Sequence, residues 1–209
     1  MTSWTTPDGR EQLYLSEQAV LDGSAAIRGG IPVIFPQFAG EGTLPKHGLA
    51  RTAGWRLVPR EVADAATLEL TDSPETRAVW PHEFLARLTV ALRPRSLEVT
   101  LAVTNRGADA LDFAAALHTY LAMDDAFGAG ITGLDGLRYR DSITRAPGIQ
   151  HERVLQVRGA VNRVYAGVPS RIEVKINGDG AEIAAPGLAP PSRLVNASRS
   201  RDMAVAGRA

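Results

Sequence analysis

The chain contains no cysteine, which excludes a disulfide framework, a thiolate zinc site and a thiol nucleophile at once. It suits a reducing compartment, so the cytoplasm is the expected location. Net charge is missing too, because 23 lysines and arginines balance 23 aspartates and glutamates. No global field draws such a chain to nucleic acid or to an anionic membrane, so neither partner is expected and any anion recognition must be local. No apolar run approaches the roughly 18 residues of a membrane span. The opening Met1-Thr2-Ser3-Trp4 has neither the basic nor the apolar region of a signal peptide. Long helical patterns, internal repeats and blocks of like charge are also lacking. What remains are 209 residues suited to one large all-β domain with a substantial core.

The clearest periodicity runs from Phe84 to Leu121, where apolar residues recur at every second position. Phe84, Ala86, Leu88, Val90 and Leu92 share one face of a first strand, with a turn at Pro94-Arg95-Ser96. Leu97, Val99, Leu101 and Val103 line a second strand, which ends at the turn residues Asn105-Arg106-Gly107. In a third, Phe113, Ala115, Leu117, Thr119 and Leu121 point one way, and Ala114, Ala116, His118 and Tyr120 the other. Shorter strands are expected at 12–15, 55–59, 67–70, 153–157 and 171–176, each bounded by Gly, Pro, Asp or Asn.

Between Ala25 and Arg51, Gly and Pro crowd among apolar residues, which predicts an ordered loop that carries function. From Ala184 onward there is no aromatic residue and no strand pattern, and Ala, Arg, Ser, Gly and Pro dominate. The expected division is therefore a domain over 1–183 and an anomalous tail over 184–209. Disorder or an out-of-frame reading of a GC-rich gene would produce such a tail.

The segment Ile27-Arg28-Gly29-Gly30-Ile31-Pro32 to Phe35-Pro36-Gln37-Phe38, followed by Leu44-Pro45-Lys46-His47-Gly48-Leu49-Ala50-Arg51 and Trp55, resembles the signature of the glucose-6-phosphate 1-epimerase family. Three further matches are collinear: Trp80-Pro81-His82-Glu83-Phe84, Ala116-Leu117-His118-Thr119-Tyr120, and Gly133-Leu134-Asp135-Gly136-Leu137-Arg138-Tyr139. The resemblance runs to about Ile183. It implies a galactose-mutarotase-like supersandwich, an all-β antiparallel β-sandwich, with substrate lying across a large sheet. It also implies an isomerase that interconverts the α and β anomers of a hexose 6-phosphate, working as a monomer without cofactor or metal. In that chemistry an acid protonates the ring oxygen while a base removes the C1 hydroxyl proton, so the ring opens, the aldehyde turns and the ring recloses.

His118 matches the family's acid. On its own face Ala114 and Ala116 leave room for a sugar, and Tyr120 offers a ring and a hydroxyl; a hydrogen-bonded core histidine is the structural alternative. Arg28 and Arg51 correspond to family substrate-binding positions, and guanidinium grips phosphate with two parallel hydrogen bonds. Lys46 stands where the family usually has glutamine, and Asn162 where it usually has aspartate, which keeps the shape but loses the charge. The alternative for the cations is a solvated surface charge. His47 either hydrogen-bonds the sugar or ties down its loop, while His82 is assigned to structure and His151 to the surface.

The family's glutamate base follows a Trp-Asn-Pro segment near the C-terminus, and this sequence has no such segment. The first residues resemble the family's second strand region, so the sandwich is expected to be incomplete at both ends. Two readings follow: an epimerase impaired by loss of the glutamate, or a sugar-phosphate-binding β-sandwich without catalysis.

Overall fold

A computed structural model describes residues 1–59, 63–176, 179–184, 192–199 and 202–208. In the Gly/Pro-rich stretch the regular structure is β1 (Val33–Ile34). There follow β2 (Arg56–Val58), β3 (Ala65–Thr71), helix α1 (Pro74–Val79), β4 (Phe84–Arg93) and β5 (Ser96–Asn105). These four strands form an antiparallel sheet in sequence order. Arg93 pairs with Ser96, so Pro94 and Arg95 make the two-residue turn between β4 and β5. The helix starts where Ser73 and Thr76 cap each other reciprocally, with proline in its first turn.

Next come β6 (Ala116–Leu121), β7 (Gly130–Thr132), β8 (Arg138–Asp141), β9 (Pro147–Ile149) and β10 (Val154–Gln156). The last are β11 (Val161–Tyr165), β12 (Arg171–Ile176), β13 (Asp179–Ala184), β14 (Ser192–Arg199) and β15 (Asp202–Arg208). They build a seven-stranded sheet, β1-β6-β15-β14-β11-β8-β9, and a four-stranded sheet, β10-β7-β12-β13. All their pairings are antiparallel. The fold is thus the all-β antiparallel sandwich that the alternating pattern predicts.

Two strand expectations differ locally from this architecture, the first at 12–15, where Leu13 and Leu15 make isolated bridges to Leu121 and Gly29 in place of a regular strand. The third predicted strand begins at Ala116 rather than Phe113, because Phe113 packs edge-on against Phe35 with ring centroids 5.3 Å apart and the Ala114 N–H is taken by the Pro36 carbonyl at 2.8 Å. In 184–209, where no apolar alternation exists, the backbone supplies β14 and β15 between β6 and β11. A strand paired on both edges has its backbone hydrogen bonds satisfied whatever its side-chain pattern.

The large sheet has one packed face, covered by both smaller sheets. Val33, Ala115 and Leu117 meet Leu70, Phe84, Ala86 and Leu88 of the β2–β5 sheet around a fully buried Phe35. Tyr165, Tyr139 and Val161 meet Ile131, Leu155, Ile172 and Val174 of the other. The alternate residues of β6 and β11 point to the opposite, front face, since successive side chains on a strand alternate. There Ala116 and Val164 contact Ile34 and Phe38, so the loop after β1 lies over part of this face.

Candidate active site

His118 lies on the front face of β6 between Ala116 and Tyr120, and only 8% of it is exposed. Its backbone N–H donates to the Pro32 carbonyl at 3.0 Å, which seats β6 against the chain leading into β1. The ring stands 4.9 Å from that of Tyr120 and 6.1 Å from that of His47, centroid to centroid. Burial, reinforced by His47 and Arg51, pushes the His118 pKa down to about 4. The ring is therefore neutral at physiological pH in the unliganded protein.

His47 reaches this place through a tightly built loop. Gly48 follows it at φ +70, and a Cβ there would come within 2.3 Å of the Phe35 carbonyl oxygen, so glycine alone lets the chain pass. The same carbonyl accepts from the N–H groups of Leu49 (3.0 Å) and Ala50 (3.1 Å). Ala39 and His47 both adopt left-handed backbone, at φ 50 and 71. Their pairing holds the loop closed: the His47 N–H donates to the Ala39 carbonyl (2.8 Å), and the Ala39 N–H donates to His47 Nδ1 (3.2 Å). Burial first, then Arg51 and Lys46, push the His47 pKa down to about 4 as well. Arg51 is steered by its Nη2 donating to the Lys46 carbonyl at 2.8 Å.

The structure thus sets His47 beside His118, with Arg51 acting on both rings and Lys46 acting on His47. Arg28 is exposed, two residues before Gly30, whose carbonyl accepts the Tyr120 N–H at 2.9 Å. Among the described residues no hydrogen bond or ion pair joins the Arg28 guanidinium to this group. Asn162 shares the front face, because its register row runs through Asn196 and Ala204 to Tyr120. Three strand spacings separate that row's two ends, roughly 14 Å. Arg140 on β8 is also on the front face, opposite Val164, and its Nη2 bonds Glu41 of the loop at 2.7 Å. Since its Nδ1 is taken by an N–H, His47 presents a donor at Nε2 and offers no lone pair to a cation. Among the described residues no group of three or more His, Asp, Glu or Cys could hold a metal, and no helix is long and apolar enough to cross a membrane.

An aldose 1-epimerase family model matches residues 1–185. The chain belongs to the aldose 1-epimerase family. Within that family it is 33% identical over 186 residues to a Cenchrus ciliaris protein named "Putative glucose-6-phosphate 1-epimerase", covering 83% of this chain and 56% of the relative. It is 37% identical over 153 residues to an Escherichia coli K12 protein of the same name, covering 70% of this chain and 49% of that one. The chain therefore spans about half the length of these curated relatives. The solved structure of the Slr1438 protein from Synechocystis has a TM-score of 0.86 at 21% identity, covering 99% of this chain and 76% of that one. That of a galactose mutarotase related enzyme from Lactobacillus acidophilus has a TM-score of 0.79 at 14% identity, covering 99% and 78%. At those identities the two structures show a shared fold.

In this aldose 1-epimerase family chain, two features of the site escape a reading of the sequence alone. The alignment of His47 with His118 depends on a loop that folds back on the sheet, although glycine directly after a histidine is a local hint of a left-handed turn. The Glu41–Arg140 pair links residues 99 positions apart, which no local pattern announces.

Proposed function

We propose that this chain carries the acid and phosphate-binding side of an epimerase that interconverts the α and β anomers of a hexose 6-phosphate. The observation that carries this reading is a buried His118 on the front sheet face, with a second neutral histidine beside it, Arg51 acting on both rings and Lys46 acting on His47. His118 hands a proton to the ring oxygen as the C1–O5 bond breaks. The C1 hydroxyl proton passes to water on the opposite side of the sugar, the aldehyde rotates, and on reclosure water returns a proton to the C1 oxygen while O5 gives one back to His118.

A histidine whose pKa lies near 4 holds almost no proton at neutral pH, so on its own it is a poor acid. A phosphate dianion beside Arg51 and Lys46 offsets the two cations and restores the imidazolium, which couples proton uptake to binding of a phosphorylated sugar. Arg28 and Asn162 are assigned to the phosphate and hydroxyl groups at the margins of the same face. The same reading takes the protein as a cytoplasmic monomer whose site residues lie in the domain over 1–183, with β14 and β15 joining β6 to β11 in the sheet that carries them.

Two-dimensional exchange NMR on glucose 6-phosphate tests the proposal. Interconversion faster than the buffer rate, abolished by His118→Ala, is the expected result. Binding without any acceleration would overturn it in favour of a sugar-phosphate-binding protein.

A further inference from the structure

The loop that delivers His47 has an unusual centre. Gln37 is only 6% exposed, and its amide bonds the backbone of the loop itself. Its Nε2 donates to the Leu44 carbonyl at 3.0 Å and to the Ala39 carbonyl at 3.4 Å, and its Oε1 accepts from the Leu44 N–H at 2.9 Å. Gly42, on the far side of the loop, leaves space for that amide, since a Cβ there would fall 2.3 Å from Oε1. The Ala39 carbonyl bonded by Gln37 is the one that accepts from the His47 N–H. Ala39 in turn donates its own N–H to His47 Nδ1.

Both residues at the neck of the loop hold left-handed backbone that alanine and histidine disfavour, and such conformations persist only where the surroundings over-determine them. The three hydrogen bonds of Gln37 provide that constraint. They keep the Ala39 N–H aimed at Nδ1, so the imidazole proton is confined to Nε2.

We infer that Gln37 is a positioning residue that locks His47 into its Nε2–H tautomer, making it a neutral hydrogen-bond donor beside His118. The inference rests on the proposed function for the use of that donor, namely holding an oxygen of the bound sugar phosphate, while the lock itself belongs to the free protein. Arg51 and Lys46 act on His47, His118 stands beside it, and Glu41 of the loop is paired with Arg140. None of them accepts a hydrogen bond from the Ala39 N–H, so none substitutes for the lock.

The test is a long-range 15N–1H correlation spectrum of the imidazoles in the full 209-residue chain at neutral pH, for the wild type and Gln37→Met. The wild type is expected to show a single Nε2-protonated pattern for His47. Gln37→Met is expected to show a mixture of tautomers, with anomer exchange slowed on the order of tenfold as the donor loses its aim. An unchanged tautomer pattern in a folded Gln37→Met protein overturns the inference, even if its Tm falls, because a purely structural glutamine would lower Tm and leave the pattern alone. Should Gln37→Met fail to fold, Gly42→Ala, an exposed position whose new methyl displaces the same amide, is read by the same criterion. A wild type without anomer exchange overturns the proposed function, whereas the tautomer pattern still decides the role of Gln37.

Discussion

The rings of His47 and His118 stand 6.1 Å apart, inclined at 40°, and His47 adds to the burial that lowers the affinity of His118 for protons. One ring comes from a strand and the other from a loop folded over that strand. Arg51 acts on both and Lys46 on His47, so the cluster is short of negative charge and ready for an anion.

That imbalance predicts how the histidines titrate. In the free protein both should remain neutral down to about pH 4. With glucose 6-phosphate bound, the His118 pKa is expected to rise by about one unit or more, and with unphosphorylated glucose it should stay low. NMR titration of the ring resonances measures this. Equal responses to the two sugars would remove phosphate from the account.

The same depression sets a pH dependence of stability. The folded His118 pKa of about 4 lies below the ordinary histidine value of 6.5, so its contribution is fully present above about pH 6.5 and is lost as pH falls toward 4. Over that window the unfolded chain takes up a proton that the native ring refuses, a difference of about 3 kcal/mol. Urea unfolding at pH 7.5, 6 and 4.5 should show the decline in the wild type and a shallower one in His118→Gln. Carboxylates such as Asp141, held below the usual range mainly by the Thr144 N–H, add their own loss toward acid, which is common to both proteins and cancels in the comparison. Parallel declines would mean that His118 is not buried in neutral form.

Gly48 should tolerate no side chain. An alanine there must hold a left-handed backbone and also push against the Phe35 carbonyl, so Gly48→Ala is expected to cost more than about 2 kcal/mol. Gly54, with nothing within 4 Å of an added Cβ and no positive φ, is the matched control. Thermal melts of the two variants separate these expectations, and a small loss at Gly48 would show that the loop can move away from Phe35.

Much of the sandwich is legible in the sequence. β4 and β5 announce themselves by ten-residue alternation and a two-residue turn, because a strand with one buried face must place apolar groups at every second position. The front-face position of His118 follows from the same parity. β7, β8 and β9 are three or four residues long, too short to display a period, and β1 has two. β14 and β15 carry no alternation at all, and their place between β6 and β11 is a matter of backbone pairing.

By itself, then, the sequence determined the all-β class, the main hairpin, the face on which His118 sits and the family to which its collinear motifs belong. These are local properties, written in period, turn chemistry and residue order. Only the tertiary structure decided which groups surround that histidine. It brought His47 and Arg51 to His118 and Lys46 to His47, left the exposed Arg28 with no side-chain bond to that group among the described residues, and set Asn162 three strands away on the same face. The physical reason is that such neighbours are fixed by strand order and by a loop crossing the sheet, and chain spacing encodes neither.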